Sequence, residues 1–254
     1  MSRKTWATLL LVAVVASAVS SVLLYAGLIR FNYPSFERHP VQGIDVSHHQ
    51  GGIDWSVLEH SPAQFAYIKA SEGASFRDPR FDENWKAALR ASVVPGAYHY
   101  FTLCKSGAEQ AANFVSAAAW TKAHGLPPAV DLEFGGNCSR RPPADEFASE
   151  LGSFLKAVER EWGCVPVLYV TQEFHGQYIA HRFPSYPIWV RDIFKRPRLE
   201  DGRPWRLWQF ANRGRLAGVA AFIDLNVFNG TTTDFAAFRC RPTISSRRSP
   251  AAPA

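Results

Sequence analysis

The chain has 254 residues, of which 47% are hydrophobic and 20% are charged, and its formal net charge is +6. This composition is ordinary for a globular protein, and the length fits one large domain or two small ones. The basic balance fits an anionic partner such as a membrane surface or a cell-wall polymer. The central region has no run of Lys and Arg interleaved with aromatic residues, so nucleic acid is not the expected partner.

The N-terminal segment, residues 1–30, is predicted to enter a membrane. Arg3 and Lys4 precede an uncharged stretch, Trp6–Ile29, that exceeds the roughly 20 residues a bilayer-spanning helix needs. An Ala-Ser-Ala sequence inside it fits a signal-peptidase site, but apolar residues continue beyond it, which favours an uncleaved inner-membrane anchor. The rest of the chain is then exported: anchored with its domain in the periplasm or outside the cell, or secreted if the segment is cleaved.

Three further regions follow the anchor. Residues 31–42 contain two prolines and are predicted to be a linker. Residues 43–240 are predicted to form the folded domain. The tail, residues 241–254, is rich in Ser, Pro and Arg and is expected to be disordered.

Four cysteines in an exported chain predict two disulfides. Three pairings are possible, and the sequence leaves the choice open. Cys104–Cys138 with Cys164–Cys240 is a guess among them.

The folded domain is predicted to alternate strands with helices. The strands are expected at residues 43–47, 65–70, 93–101, 128–134, 165–170, 188–190, 206–210 and 222–226, and the helices at 53–60, 82–91, 106–123, 144–162 and 172–181. Such alternation indicates parallel strands with crossover helices. Eight strands without a Gly-x-Gly-x-x-Gly turn favour a closed, TIM-like α/β barrel. The barrel should be irregular where the last three strands lack full helices.

Four acidic residues lie at or near predicted strand ends: Asp45, Asp131, Glu133 and Asp224. In a β/α barrel the carboxyl ends of the strands form the active-site mouth, so these side chains should converge there. Asp131 and Glu133 are separated by one residue and therefore point to the same face of their strand. Burial and mutual repulsion raise the proton affinity of such a pair, so that one carboxyl can donate a proton near neutral pH.

Six short motifs follow one another along the domain: Gly43–Ser47, Tyr67–Gly73, Gly96–Phe101, Asp131–Glu133, Trp208–Phe210 and Asp224–Gly230. In this order and spacing they resemble the glycoside hydrolase family 25 lysozymes, the Chalaropsis-type N-acetylmuramidases. Each motif is weak alone, but the six together are specific and cover nearly the whole domain. One departure is Arg191, at a position after Trp189-Val190 where many members have a small residue.

The resemblance implies a modified barrel with fewer helices on its C-terminal side. It also implies hydrolysis of the β-1,4 bond between N-acetylmuramic acid and N-acetylglucosamine in peptidoglycan glycan strands. Carried onto the matching positions, it makes Glu133 the general acid, with Asp131 beside it and Asp45 and Asp224 completing the acidic cluster. Neither a cofactor nor a metal is expected, and the protein is expected to be a monomer.

The spacing of the two central acids leaves the mechanism open. A nucleophilic carboxylate lies about 5–5.5 Å from the acid in retaining glycosidases, and wider pairs admit a water. In a third route the substrate's own acetamido group attacks. An Asp-x-Glu strand resembles families that use this substrate assistance, so our hypothesis makes Glu133 the acid/base and Asp131 the residue that orients the acetamide.

Four aromatic residues are predicted to line a sugar cleft: Tyr98, Tyr169, Trp189 and Trp208. Aromatic faces pack on sugar rings, although core packing is the alternative for each. Elsewhere, His99 is predicted to be a hydrogen-bonded core histidine, and Lys69 and Glu72 an ion pair near the mouth.

Two other functions are compatible with the sequence. One is a catalytically idle wall-binding protein on the same fold, although such a protein has no need of a converging acid cluster. The other is a chitin-type glycosidase, which product analysis on chitin oligomers would distinguish.

Overall fold

The computed structural model describes residues 2–30, 32–122 and 125–240. The predicted tail, residues 241–254, lies outside the described residues. The strands are β1 (Gln42–Val46), β2 (Ala63–Glu72), β3 (Phe76–Arg77), β4 (Val94–Tyr100), β5 (Ala129–Leu132), β6 (Val167–Thr171), β7 (Ile188–Arg191), β8 (Leu207–Gly214) and β9 (Ile223–Phe228). The helices are α1 (Arg3–Tyr25), α2 (Trp55–Leu58), α3 (Phe81–Arg90), α4 (Gly107–Ala118), α5 (Ala144–Trp162), α6 (Gln172–Phe174) and α7 (Thr232–Phe238).

Eight of these strands close into a barrel in the order β1-β2-β4-β5-β6-β7-β8-β9, and β9 pairs back onto β1. The predicted TIM-like α/β barrel is therefore confirmed. All neighbouring pairs from β1 to β8 are parallel, but β9 runs antiparallel to both β8 and β1. This departs from the parallel pattern because residues 215–222 connect β8 to β9 without a crossover helix. The two-residue β3 pairs with β2 outside the barrel.

The long helices form where the sequence caps them. Ser106 caps the start of α4. Its hydroxyl oxygen accepts a hydrogen bond from the Glu109 backbone N–H, and the Glu109 carboxylate accepts one from the Ser106 backbone N–H. Helix α5 ends at Gly163, which adopts the left-handed conformation that favours glycine. The helix predicted at 172–181 is reduced to α6 and a π-helical turn over His175–Ile179. Within the described chain, no helix lies between β7 and β8 or between β8 and β9, which is the expected loss on the C-terminal side, while α7 was not predicted.

Strand side chains alternate between two cores, as the two-residue period of a strand requires. One core lies between the barrel and its helices and includes Val130 and Leu168 with Phe154 of α5. The other fills the barrel itself and includes Tyr67 and Trp189, whose rings stack with centroids 4.7 Å apart. These aromatic rings plug the barrel, so only its mouth remains open for a site.

The segment predicted as a linker packs against the barrel over residues 32–42. Asn32 is buried, and its side-chain amide donates to the backbone oxygen of Phe210. The His39 ring contacts Trp205, with centroids 5.5 Å apart, and Val41 is fully buried. No free spacer therefore separates residue 32 from the first barrel strand.

Two disulfides brace the barrel, and they are the guessed pairs Cys104–Cys138 and Cys164–Cys240. The first joins the segments that follow β4 and β5. The second joins the end of α5 to the segment after α7. Each closes a long loop, which restricts the unfolded chain and so stabilises the fold.

Helix α1 stands apart from both cores. None of its residues is buried, and its mean hydropathy reaches 2.5 over an 18-residue window. Within the described residues it is the one helix long and apolar enough to cross a membrane. A signal sequence would meet the same test, so the helix fits either a signal or an anchor.

Candidate active site

A cleft of about 470 Å³ opens at the carboxyl ends of the parallel strands, and all four predicted acids line it. Asp45 lies at the end of β1, Asp131 is on β5, and Glu133 follows β5 directly. Asp224 lies near the start of β9, because an antiparallel strand begins at the mouth where its parallel neighbours end. The structure therefore brings together acids that are up to 179 positions apart, as Asp45 and Asp224 are.

A hydrogen-bond network holds Asp45 in place. Its Oδ2 accepts from Gln209 Nε2 at 2.8 Å and from Asn226 Nδ2 at 2.7 Å. The Trp189 indole N–H in turn donates to Asn226 Oδ1, and the Tyr169 hydroxyl donates to Gln209 Oε1. Because each amide is oriented by an aromatic donor, the position of Asp45 is fixed from the barrel interior.

Asp45 and Asp224 lie directly opposite each other on β1 and β9. Like charges in such a cross-strand pair repel. Burial raises the pKa of Asp45, although its amide partners oppose the shift. Burial and then the adjacent Asp45 hold the pKa of Asp224 well above its ordinary value. The pair is therefore suited to carry one shared proton rather than two negative charges.

Glu133 faces a cation across the cleft. Arg191, at the end of β7, approaches Glu133 Oε2 with its Nη1 at 3.3 Å. Burial raises the pKa of Glu133, and the Arg191 guanidinium opposes that rise. The side-chain amide of Asn137 donates to the Glu133 backbone oxygen and so fixes the loop that carries the carboxyl.

Asp131 is the least satisfied acid of the cleft. Its Oδ1 is buried and has no hydrogen-bond partner among the described residues. Burial and then the neighbouring Glu133 hold the pKa of Asp131 well above its ordinary value. A buried acceptor without a donor is costly, so this oxygen is ready to receive an N–H or O–H from a ligand.

Three of the four predicted aromatic residues line the cleft: Tyr98, Tyr169 and Trp189. The Trp189 side chain is only 2% exposed and forms the floor rather than a wall. Trp208 does not line the cleft, which differs from the prediction. Its ring packs in the outer core and its indole N–H donates to the Asp192 backbone oxygen, because strand alternation turns Leu207 and Gln209 inward and Trp208 outward.

Two other predictions are confirmed. Lys69 Nζ lies 2.7 Å from Glu72 Oε2 at the edge of the cleft. His99 is fully buried, where its Nδ1 pairs with the Ser71 hydroxyl, and burial lowers its pKa to about 3. This histidine is a structural residue of the outer core.

Three residues of the site were not predicted as functional: Arg191 and Gln209, which line the cleft, and Asn226, which is buried beneath it. Gln209 and Asn226 lie inside motifs of the family pattern, so their position was visible but their role as Asp45 donors was not. Arg191 was visible only as a departure from that pattern. Its contact with Glu133 spans β6, which lies between β5 and β7, and local spacing cannot reveal such a contact.

An α/β barrel whose mouth holds buried carboxyl groups and tyrosines at the strand ends has the architecture of a glycoside hydrolase. The model of glycosyl hydrolases family 25 matches residues 44–219. The chain belongs to this family, as the six motifs indicated, and it is a glycoside hydrolase of the lysozyme type.

Relatives and solved structures agree with this assignment. The uncharacterized protein YegX of Escherichia coli K12 is 35% identical over 79% of this chain and 74% of its own length. Lysozyme M1 of Streptomyces globisporus is 33% identical over 75% of this chain and 68% of its own length. The structure of a family 25 glycosyl hydrolase from Bacillus anthracis superposes with a TM-score of 0.77 at 35% identity, covering 83% of this chain and 99% of the other.

Proposed function

We propose that the protein is a peptidoglycan muramidase that hydrolyses the β-1,4 bond between N-acetylmuramic acid and N-acetylglucosamine. Glu133 is the general acid and base, and Asp131 orients the substrate's 2-acetamido group. The observation that carries this proposal is the pairing of a partly buried, cation-flanked Glu133 with an Asp131 oxygen that lacks a partner.

In the first step, Glu133 donates its proton to the glycosidic oxygen of the scissile bond. The acetamide oxygen of the muramic acid residue attacks its own C1, and the bond from C1 to the leaving oxygen breaks. Asp131 accepts the acetamide N–H through Oδ1 and stabilises the cyclic oxazolinium ion. This use of Asp131 satisfies the buried acceptor that the free enzyme leaves unpaired.

In the second step, the Glu133 carboxylate removes a proton from a water molecule that attacks C1 and opens the ring. The acetamide is regenerated, and the product keeps the configuration of the substrate. Asp45 and Asp224 face the same cleft and contribute negative charge that stabilises the oxocarbenium-like centre. Tyr98 and Tyr169 contact the sugar rings above the Trp189 floor.

The proposal includes the place of action. Helix α1 anchors the chain in the inner membrane, with Arg3 and Lys4 on the cytoplasmic side and the barrel exported. The enzyme acts there as a monomer on the glycan strands of the cell wall.

The decisive experiment is digestion of purified peptidoglycan by the full chain, with the new reducing ends identified by mass spectrometry after borohydride reduction. We expect reduced muramic acid ends, because the cleaved bond joins C1 of muramic acid. A proton NMR time course on a defined oligomer should show the β-anomer first. Early appearance of the α-anomer would exclude the substrate-assisted route.

The same digestion separates the competing functions. Preferential cleavage of chitin oligomers over peptidoglycan would indicate a chitin-type glycosidase. Retention on peptidoglycan without any cleavage would indicate a wall-binding protein.

A further inference from the structure

The end of α1 is docked on the barrel. Arg213 Nε donates to the Tyr25 backbone oxygen at 2.6 Å, and its guanidinium lies 3.9 Å from the centre of the Tyr25 ring. Arg215 Nε donates to the Ala26 backbone oxygen at 2.8 Å. These carbonyls belong to the last turn of the helix, where they have no partner within the helix and carry its negative dipole end. The two arginines of β8 and its exit therefore cap the helix.

Two more contacts tighten this junction. Arg30 donates through Nη2 to the Arg213 backbone oxygen at 2.8 Å. Gly27 has a φ of +69°, and a Cβ there would stand 1.9 Å from the same Arg213 oxygen. Only a glycine permits both the turn and the close approach. The helix end and the barrel are thus joined as one unit, since residues 32–42 are also packed.

The docked helix end continues into a surface of apolar and basic side chains, of which all but the half-buried Arg213 are exposed. We call it the rim surface: Tyr25, Leu28, Ile29, Phe194, Lys195, Arg198, Arg213 and Arg215. Phe194 is 66% exposed and lines one groove with Leu24 and Ile29, while Lys195 and Arg198 line an adjoining groove together with the acidic Glu173. Aromatic and basic side chains side by side are typical of protein surfaces at the boundary between lipid and water.

The rim surface adjoins the catalytic cleft. Asn212 lines both the cleft and the groove at the end of α1. The loop that carries Phe194 follows β7, whose last residue Arg191 faces Glu133. The end of the membrane helix and the acid are therefore at the same end of the barrel.

We propose that the rim surface rests on the anionic headgroups of the bilayer that α1 spans, so that the cleft opens at the membrane surface. The substrate class is then glycan that lies next to the membrane, such as strands still attached to a lipid carrier, rather than remote layers of the wall. This inference rests on the proposed anchor and muramidase activity. A barrel on a flexible tether would reach outward instead, but the described residues between helix and barrel, 26–30 and 32–42, form no free spacer.

The first test measures the contact itself by hydrogen exchange on the full chain in vesicles. Peptides covering residues 192–198 and 211–216 should exchange more slowly in vesicles containing phosphatidylglycerol than in phosphatidylcholine alone. The variant Lys195→Ala/Arg198→Ala leaves the two arginines that cap α1 in place. It should lose about 30-fold of this protection, since each basic residue at an anionic surface contributes about 1 kcal/mol and 1.4 kcal/mol is tenfold. The control Arg90→Ala/Arg160→Ala, on exposed faces of α3 and α5, should behave as wild type.

The second test measures reach on glycan strands attached to a lipid carrier in the same vesicles. Wild type should leave short lipid-linked stubs. Gly27→Val breaks the junction without changing the charge. We combine it with a 16-residue Gly/Ser spacer after Arg30, which adds about 20–24 Å of reach. This spacer variant should leave longer lipid-linked stubs than wild type. All variants should cleave soluble glycan oligomers at the wild-type rate.

The outcomes separate the two proposals. Equal exchange on both kinds of vesicle, or stubs of unchanged length in the spacer variant, would overturn the membrane contact. Failure of wild type on soluble oligomers would instead overturn the muramidase activity, whatever the exchange data show.

Discussion

The two walls of the cleft differ in how fully their carboxyl groups are hydrogen-bonded. On the wall formed by β1, β8 and β9, Asp45 accepts two amide hydrogen bonds and is paired with Asp224. On the wall formed by β5, Asp131 has an oxygen without a partner, and Glu133 has one long contact to Arg191. The first wall fixes geometry and charge, whereas the second leaves its acids able to exchange protons and hydrogen bonds with a substrate.

The comparison predicts its largest effect at Glu133. Glu133→Gln keeps the shape of the side chain but removes the transferable proton, so kcat on peptidoglycan should fall about 10²–10⁴-fold. Thermal unfolding should change little, because the Glu133 carboxylate contributes one contact, at 3.3 Å to Arg191. Glu59→Gln, on the exposed surface, is the matched control. Near-normal activity of the Glu133 variant would mean that another group supplies the proton.

Asp131→Asn should lower kcat about 10²–10³-fold, the cost of losing one preorganised hydrogen bond to a developing charge. The variant should be at least as stable as wild type, since it replaces a carboxyl group of which one buried oxygen lacks a partner. Urea unfolding and initial rates on the same preparation test both statements. Loss of stability with retained activity would contradict the division between the walls.

Asn226→Ala should have the opposite effect to Asp131→Asn: it should lower stability more than it lowers kcat. It leaves the Trp189 indole N–H without its acceptor and removes one donor from Asp45, which costs about 1–3 kcal/mol of unfolding free energy. Gln64→Ala removes an exposed amide that bonds to Pro40 and serves as the control. A melting temperature equal to that of the control would show that the network does not hold the wall.

Arg191→Ala should shift a pH profile rather than abolish activity. Arg191 lowers the pKa of Glu133 against the effect of burial, so its removal raises that pKa. The general acid works only when protonated, and the alkaline limb of kcat/KM should therefore move to higher pH. Arg191→Lys retains the charge and should leave the limb near its wild-type position. A limb displaced to lower pH would show that Arg191 acts differently.

The smallest expected effect is in the pH dependence of stability. The pKa values of Asp131 and Asp224 are raised in the folded state by burial. The native protein therefore binds more protons than the unfolded chain, and stability falls as pH rises above the unfolded value, near 3.8, and through the folded values. Asp224→Asn should make the unfolding free energy, measured by urea titration, decline less steeply with pH. The slope should change by about 1.4 kcal/mol per pH unit for each proton by which the native and unfolded states no longer differ. An unchanged slope of unfolding free energy against pH would mean that a group other than Asp224 binds the extra proton in the native state.

Much of this arrangement could be predicted from the sequence because strand periodicity and the order of strand ends are local signals. Asp131 and Glu133 on one face follow directly from their spacing. The prediction placed the Trp208 side chain in the cleft. The sequence showed the motif that contains Trp208, but it did not show whether the side chain points into or out of the barrel. The Arg191–Glu133 contact and the amides around Asp45 depend on strands that are distant in the chain, and the sequence alone does not give their register.

Asn32 and Val41 illustrate a different limit. Prolines and polar residues in 31–42 are typical of a spacer, yet residues 32–42 follow the barrel wall, and both side chains are buried. Its packing depends on grooves formed by residues far along the chain, such as Phe210. Local composition contains no information about such grooves.

The Cys104–Cys138 bridge also constrains the loop that carries Glu133. It ties the loop that holds Glu133 to the segment after β4, where Asn137 adds its own bonds to the backbone of Phe101 and Leu103. Thiols stay reduced in the cytoplasm and pair after export. With the export proposed above, the loop that carries Glu133 would be locked only beyond the membrane, and the newly made chain would lack this constraint before it crosses.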